Sequence, residues 1–229
     1  MAEGGAVFQV AIDGPAASGK SSTARLVAAG LGIRYLDTGA MYRALTLDIL
    51  RQGVSPEAEA LVVKRLETLD LRLQEGRIWL AGEDVGEAIR ANEVSVRMGP
   101  ICAMPTVRAW MVALQRRLGS LESTVLDGRD IGTVVFPAAR FKFFLVADLE
   151  ERARRRQREL AAVGQPVELA LLAEELRRRD ESDAARSTGP LTKAADAVEL
   201  DTTRLGLQEQ AELILGLIRA GLERGGEPS

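Results

Sequence analysis

Histidine is missing altogether from the 229 residues. That removes catalytic triads built on imidazole and metal sites built on histidine nitrogen. Cysteine occurs once, at Cys102, so no disulfide can form within the chain, and a reducing cytosol is the expected compartment. Its setting, Ile101-Cys102-Ala103-Met104, reads as a small buried hydrophobe rather than a nucleophile. No apolar run approaches the roughly 20 residues of a membrane span. Met1-Ala2-Glu3-Gly4-Gly5 lacks the basic and apolar regions of a secretory leader, and the tail from Arg224 is expected to fray. Net charge is −3, so the chain lacks the basic excess that drives non-specific nucleic-acid binding. A chain of this length makes one domain with inserts or two small domains, and buries roughly 70–75% of its unfolded surface without staples.

Against these absences stands one dense motif. Gly14-Pro15-Ala16-Ala17-Ser18-Gly19-Lys20-Ser21 is G-x-x-x-x-G-K-[ST], a phosphate-binding loop. It needs a strand before it and a helix after it, and both are legible. Val7 to Ile12 is a short apolar run, and Ser22 to Ala29 reads as a helix stopped by Gly30. The glycines let backbone N–H groups converge on one phosphate, and the helix N-terminus adds partial positive charge. Lys20 brings a full charge to the β- and γ-phosphates of a nucleoside triphosphate, and Ser21 offers a hydroxyl to Mg²⁺.

The rest of the chain reads as α/β with interruptions. Ile33 to Leu36 is a second strand, ending in Asp37-Thr38-Gly39-Ala40-Met41-Tyr42-Arg43, which opens a helix with Thr38 as N-cap and Gly53 as stop. Arg43 in the first turns opposes the helix dipole, which fits either an incoming anion or a solvated surface arginine. Glu57 to Leu69 has helical spacing. Leu71-Arg72-Leu73 and Ile78-Trp79-Leu80 flank Gln74-Glu75-Gly76-Arg77 as a hairpin, an insert beside a parallel core. Val85 to Val96 and Thr106 to Leu118 read as helices parted near Gly99-Pro100 and Pro105. Thr124 to Asp127 returns to the core as a strand ending in a carboxylate, which puts Asp127 at the carboxyl edge of the sheet, where such an aspartate holds Mg²⁺. Gly128-Arg129-Asp130 continues into the same crevice. Phe141 to Ala147 is the next strand, with Lys142 expected at an edge or end. Two arginine-rich helices follow, one with Arg152, Arg154, Arg155, Arg156 and Arg158, the other with Arg177-Arg178-Arg179-Asp180 and then Asp183 and Arg186. Joined by Val163-Gly164-Gln165-Pro166, they read as a lid that lays some arginines on phosphates, Arg152 and Arg156 on ATP, while others pair with interspersed glutamates in solvent. Ala197 to Asp201 is a last strand, and Leu207 to Leu222 an amphipathic helix.

Taken together, Ile12 through Ser22, Leu36 through Arg43, Asp127-Gly128-Arg129-Asp130-Ile131-Gly132-Thr133-Val134-Val135-Phe136-Pro137, and Arg179-Asp180 with Asp183 and Arg186 resemble bacterial cytidylate kinase, in the expected order and over nearly the whole chain. The stretch from Asp127 to Pro137 is the most specific part. The resemblance implies a three-layer nucleoside-monophosphate kinase fold with a five-stranded parallel core: a single kinase domain, its core about 6–54, 119–148 and 194–224, its monophosphate-binding insert about 55–118 and its lid about 149–190. It implies transfer of the ATP γ-phosphoryl group to CMP or dCMP, with Mg²⁺, in the cytoplasm, by a monomer that needs neither nucleic acid nor membrane. Carried over by position, Thr38 and Arg43 hold the acceptor phosphate, with Asp37 and Tyr42 beside them and Arg129 and Arg186 around it. Asp183 and Arg179 match ribose-side contacts, and Arg108 and Asp130 match contacts to cytosine. The family pattern has a small hydroxyl residue near the base, where this chain has Gly99, so Ser95 or water takes over that contact or it is lost. Two rivals remain at this stage: a kinase for another small acceptor such as UMP, AMP or shikimate, and a nucleotide-dependent regulator with slow, acceptor-independent hydrolysis.

Overall fold

A computed structural model describes residues 7–74, 76–162 and 164–224. The leader reading at residues 1–5, the fraying expected of the tail past Arg224, and Glu75 and Val163 lie outside the described residues. In chain order the elements are β1 (Gln9–Asp13), α1 (Lys20–Leu31), β2 (Arg34–Asp37), α2 (Thr38–Arg51), α3 (Glu59–Leu66), β3 (Leu71–Gln74), β4 (Arg77–Leu80), β5 (Glu83–Asp84), α4 (Asn92–Ala103), α5 (Pro105–Gly119), β6 (Thr124–Gly128), β7 (Phe141–Val146), α6 (Leu149–Ala162), α7 (Leu169–Ala184), β8 (Val198–Asp201) and α8 (Leu207–Arg224). A short 3₁₀ turn, Ala88–Arg90, precedes α4, and a wide turn, Ile131–Val135, follows β6. The chain divides into two compact units, residues 1–35 with 122–229, and residues 36–121.

The expected five-stranded parallel sheet is present, in the order β2-β6-β1-β7-β8. β1 runs parallel to both β6 and β7, and β7 parallel to β8. Parallel neighbours in non-consecutive order need crossover connections, and helices lie between the strands in sequence. In the first unit Val10, Ile12, Val125, Phe143 and Leu145 of the strands pack against Ala24, Val27 and Ala28 of α1 and Ala211, Ile214 and Ile218 of α8. Ala211, Ile214 and Ile218, spaced i, i+3 and i+7, form the buried stripe of the amphipathic helix read from the sequence. α6 and α7 pack on each other through Ala153, Leu160, Leu172 and Leu176, with Ala16 of the phosphate loop in the same cluster. Parallel register sets Ile12 opposite Asp127 and Asp13 opposite Gly128, so each strand carries a carboxylate at or next to its end, one residue out of step with the other.

The second unit holds α2 to α5 and a three-stranded antiparallel sheet, β3-β4-β5, whose Ile78 and Leu80 pack with Ala40, Ala44, Val85 and Ile89.

Several local readings need correction. α1 runs through Gly30 to Leu31 and is capped by Gly32 at φ 63°. The N-cap of α2 is Asp37, whose carboxylate accepts from Ala40 N at 2.7 Å, and Thr38 is already helical and buried. Gly99-Pro100 does not break α4: Val94, Met98, Ile101 and Cys102 form one buried face along the helix, and that burial outweighs the donor Pro100 lacks. The break falls only at Met104-Pro105. Lys142 is near one end of β7, but β7 is an interior strand, and the buried ammonium is held by Asp196 at 2.7 Å and by the Pro137 carbonyl at 2.5 Å.

Candidate active site

The phosphate loop joins β1 to α1, and its backbone is dictated by close approach. A Cβ on Gly14 would sit 2.3 Å from the Leu145 carbonyl oxygen, so only glycine fits there. Gly19 takes φ 90° and hands the chain to α1, whose N-terminus no side chain caps. That leaves a ring of N–H groups and the positive end of the helix dipole facing the loop, the arrangement that holds anions. Lys20 is buried and donates to the Pro15 carbonyl at 2.9 Å. Burial first, then the positive charge of Arg129, pull its ammonium below the usual lysine range, against the opposing pull of Asp127. A triphosphate would relieve that deficit of negative charge.

Asp127 stands where the sequence puts it, at the end of β6. Ser21 Oγ donates to Asp127 Oδ2 at 2.5 Å, and Tyr35 Oη donates to Asp127 Oδ1 at 2.8 Å. A hydroxyl and one carboxylate, both hard oxygen donors, fit Mg²⁺, which is held by one or two such groups together with substrate phosphates. Among the described residues no group of three or more metal-ligating side chains gathers. Tyr35 was not among the sequence candidates; its one signal was a hydroxyl at the end of a core strand.

A cluster of arginines faces the same loop from within the first unit. Asp183, almost fully buried on α7, accepts from Arg129 Nε at 2.6 Å through one oxygen and from Arg186 through the other. Burial acts to raise the Asp183 carboxyl, but Arg129, Arg186 and the nearby charge of Arg179 more than offset it and hold it below the usual carboxylate range. Three arginines from two sequence motifs, one at Arg129 and the other at Arg179 to Arg186, are thus brought together around one carboxylate.

The arginine-rich helices divide as the sequence left open. Arg154, Arg158, Arg177 and Arg178 make exposed pairs with glutamates, and Arg156 pairs with Glu159 at 3.2 Å on the surface of its own helix. Arg152 turns inward: it is buried, donates to the Ala147 and Ala16 carbonyls and pairs with Asp180 at 2.6 Å. Sequence reasoning passed over Arg155, which donates to the Ser18 carbonyl at 3.1 Å and to Thr202. Both inward arginines therefore grip the backbone of the phosphate loop.

Asp130 is buried at the start of the wide turn. Asp13, also passed over, ends β1 just before Gly14 and is buried; its Oδ1 accepts from Ile131 N at 2.9 Å and its Oδ2 from Gly132 N at 2.8 Å. Its signal was the same as that of Asp127, a carboxylate closing an apolar strand.

The second unit carries the other candidates. Arg43 reaches back over the start of α2, 3.3 Å from both oxygens of Asp37, and Gly39 leaves room for it, since a Cβ there would lie 3.2 Å from the guanidinium. Arg43 Nε is buried without a hydrogen-bond partner. Thr38 is buried and Tyr42 half-buried in the same turns. Arg108 is buried on α5, and Gly99 is exposed on α4 with open space where a side chain would go.

Comparison with known proteins agrees with these motifs. The cytidylate kinase family model matches residues 10–220. A cytidylate kinase of Caldanaerobacter subterraneus subsp. tengcongensis is 46% identical, with 92% of this chain and 94% of that one covered. A cytidylate kinase of Chlorobaculum tepidum is also 46% identical, with 94% of each covered. The crystal structure of an uncharacterized protein from Eubacterium ventriosum shares the fold, at a TM-score of 0.51 and 11% identity over 93% of this chain and 98% of that chain. Family motifs, sheet order and relatives converge, and the chain belongs to the cytidylate kinase family.

Proposed function

We propose that the chain transfers the γ-phosphoryl group of ATP to CMP or dCMP, giving ADP and CDP or dCDP. The observation that carries this reading is the match to the cytidylate kinase family across residues 10–220, with Lys20 buried in the phosphate loop at the position the chemistry needs. Two polyanions have to approach in line, and the transferred group is loosely bonded to both neighbours at the transition state. The protein therefore has to supply position and positive charge more than a base.

The loop N–H groups from Gly14 to Ser22 and Lys20 bind the donor phosphates. Ser21 and Asp127 would hold Mg²⁺, which would neutralise donor charge when bound. Arg129 and Arg186, oriented by Asp183, bring guanidinium groups toward the phosphoryl in flight, and Arg179 and Asp183 serve the ribose side. Thr38 and Arg43, with Asp37 and Tyr42, bind the acceptor phosphate. Arg108, Asp130 and the region of Gly99 read the base. Arg152 and Arg155 hold the loop to α6, while Arg156, half-exposed, is the lid arginine free to turn from Glu159 to ATP. Residues 149–190 act as the lid, 55–118 as the monophosphate-binding insert and the remainder as core. We read the enzyme as a cytoplasmic monomer of pyrimidine metabolism acting on free nucleotides. Its net charge of −3 favours free nucleotides over a nucleic-acid partner.

The test is release of ADP from ATP and Mg²⁺ with a panel of acceptors: CMP, dCMP, UMP, AMP and shikimate. CMP and dCMP are expected to stimulate release most. Stimulation by another acceptor alone, or ATP hydrolysis unaffected by any of them, overturns the proposal.

A further inference from the structure

Asp13 does something that the phosphate loop itself does not require. It ends β1, one residue before Gly14, yet neither carboxylate oxygen turns to the loop. Both reach 118 and 119 residues along the chain to the first two N–H groups of the wide turn Ile131–Val135. That turn is one of the rare i→i+5 kind: Val135 N donates to Asp130 O at 3.1 Å and Phe136 N to Ile131 O at 2.7 Å. A turn so wide leaves its leading N–H groups without partners of its own, and Asp13 fills that role from another strand. A Cβ on Gly132 would lie 3.4 Å from Asp13 Oδ2 and 3.2 Å from the Lys142 side chain, so the turn is pressed onto Asp13. Immediately before the turn stand Arg129, gripped by Asp183, and the buried Asp130.

We propose that Asp13 is a positioning residue for phosphoryl transfer: its bidentate grip on Ile131 and Gly132 fixes the strand-end that carries Arg129 and Asp130 in register with the phosphate loop that follows Asp13. The inference rests on the reading of Arg129 and Asp130 as acceptor-side groups. The pairing Asp13↔Gly128 sets backbone against backbone, and the carboxylate extends that register past the end of the sheet, where no strand pairing remains to hold it. A shift of about 1 Å at a guanidinium is enough to cost on the order of 100-fold in rate. Isosteric replacement by asparagine leaves one acceptor and sets an amide donor against the second N–H.

The test compares wild type, Asp13→Asn, Arg129→Ala and the double variant in steady-state assays with ATP and CMP, with direct titration of ATP binding. Asp13→Asn is expected to lower kcat/KM for CMP by at least about 10-fold while the Kd for ATP stays within about twofold. In the Arg129→Ala background the same change is expected to cost less than about threefold, because its route is through Arg129. A full additive loss, or equal weakening of ATP, would mean a general role in stability and overturns the inference. Should Asp13→Asn not fold, amide exchange in the wild-type protein decides. Ile131 and Gly132 should exchange as slowly as Val134 and Val135, and fast exchange at the first two overturns it. Absence of CMP turnover in the wild type would instead overturn the kinase reading and leave the exchange result standing.

Discussion

At Gly14 one hydrogen decides whether the loop can close, since any Cβ would run into the Leu145 carbonyl. Three positions on, the chain accepts the opposite: Ala17 sits at φ 58°, a conformation that costs a residue with a Cβ about 1 kcal/mol or more. The loop thus stores strain where Ser18 is held by Arg155 and Thr202, which is where ligand contact tends to collect such outliers. Lys20 is the other costly residue, a buried ammonium kept against its own desolvation. Replacing it removes charge at the developing transition state, so Lys20→Met is expected to fold and to lower kcat by at least about 100-fold, about 2.7 kcal/mol of barrier; near-normal turnover in the folded variant would remove it from the mechanism. Gly99 offers a gain instead. It lies exposed inside α4 with nothing within 4 Å of a new Cβ. Gly99→Ser should therefore stabilise by about 0.5 kcal/mol through helix propensity alone, and should lower the KM for CMP if the added hydroxyl reaches the base. A raised KM in thermal and kinetic assays would show that the open space is needed by substrate.

Two carboxylates in the first unit respond to pH with opposite sign, and each belongs to an element. On β1, burial pushes Asp13 up to about 7, in part against the N–H groups of Gly132 and Ile131; Asp130 adds to the rise and Lys20 works against it. Its ordinary value is 3.8, so as pH climbs from about 4 to about 7 the unfolded chain releases this proton first, and the native state loses stability over that window. On α7, Asp183 is held low, so its contribution is present above its ordinary value and is lost only in more acid solution, as Arg129 and Arg186 lose their shared partner. The measurement is chemical unfolding at pH 5 and pH 7.5 for wild type and Asp13→Asn: the wild type is expected to lose more stability between those pH values than the variant. Parallel slopes would put the Asp13 carboxyl back in the ordinary range. The element boundaries themselves were mostly legible, because strand and helix periodicity are local signals. Packing overrode a local rule where α4 continues through Gly99-Pro100 and α1 through Gly30 to Leu31, and the helix expected from Val85 starts only at Asn92, after the Ala88–Arg90 turn.

Across the whole molecule, the first unit carries the phosphate loop, Asp127, Asp130 and the arginines around Asp183, and the second carries Asp37, Thr38, Arg43, Gly99 and Arg108. These groups could be read from sequence because each lies in a short motif whose letters sit close together. Asp13 and Arg155 could not, because their partners are 118 and 137 positions away and nothing local announces the pairing. The same limit applies to base choice, which depends on chemistry at an edge rather than on a motif. Cytosine offers an amino donor at N4, which a carboxylate can accept, as Asp and Glu do when they read that base in nucleic acids. Asp130 is a buried carboxylate at the start of the Ile131–Val135 turn, which we assign to the acceptor side. Uracil would set its O4 oxygen against that carboxylate, leaving buried groups unpaired at about 1–3 kcal/mol each. CMP and dCMP should therefore exceed UMP in kcat/KM by about 10- to 100-fold, since each 1.4 kcal/mol is tenfold. Asp130→Asn can turn its amide to donate to O4, so the CMP-to-UMP ratio should narrow in that variant, mostly through better use of UMP. The comparison needs kcat/KM for both acceptors in both proteins, and an unchanged ratio would mean that Asp130 serves the turn and that cytosine is read by another residue.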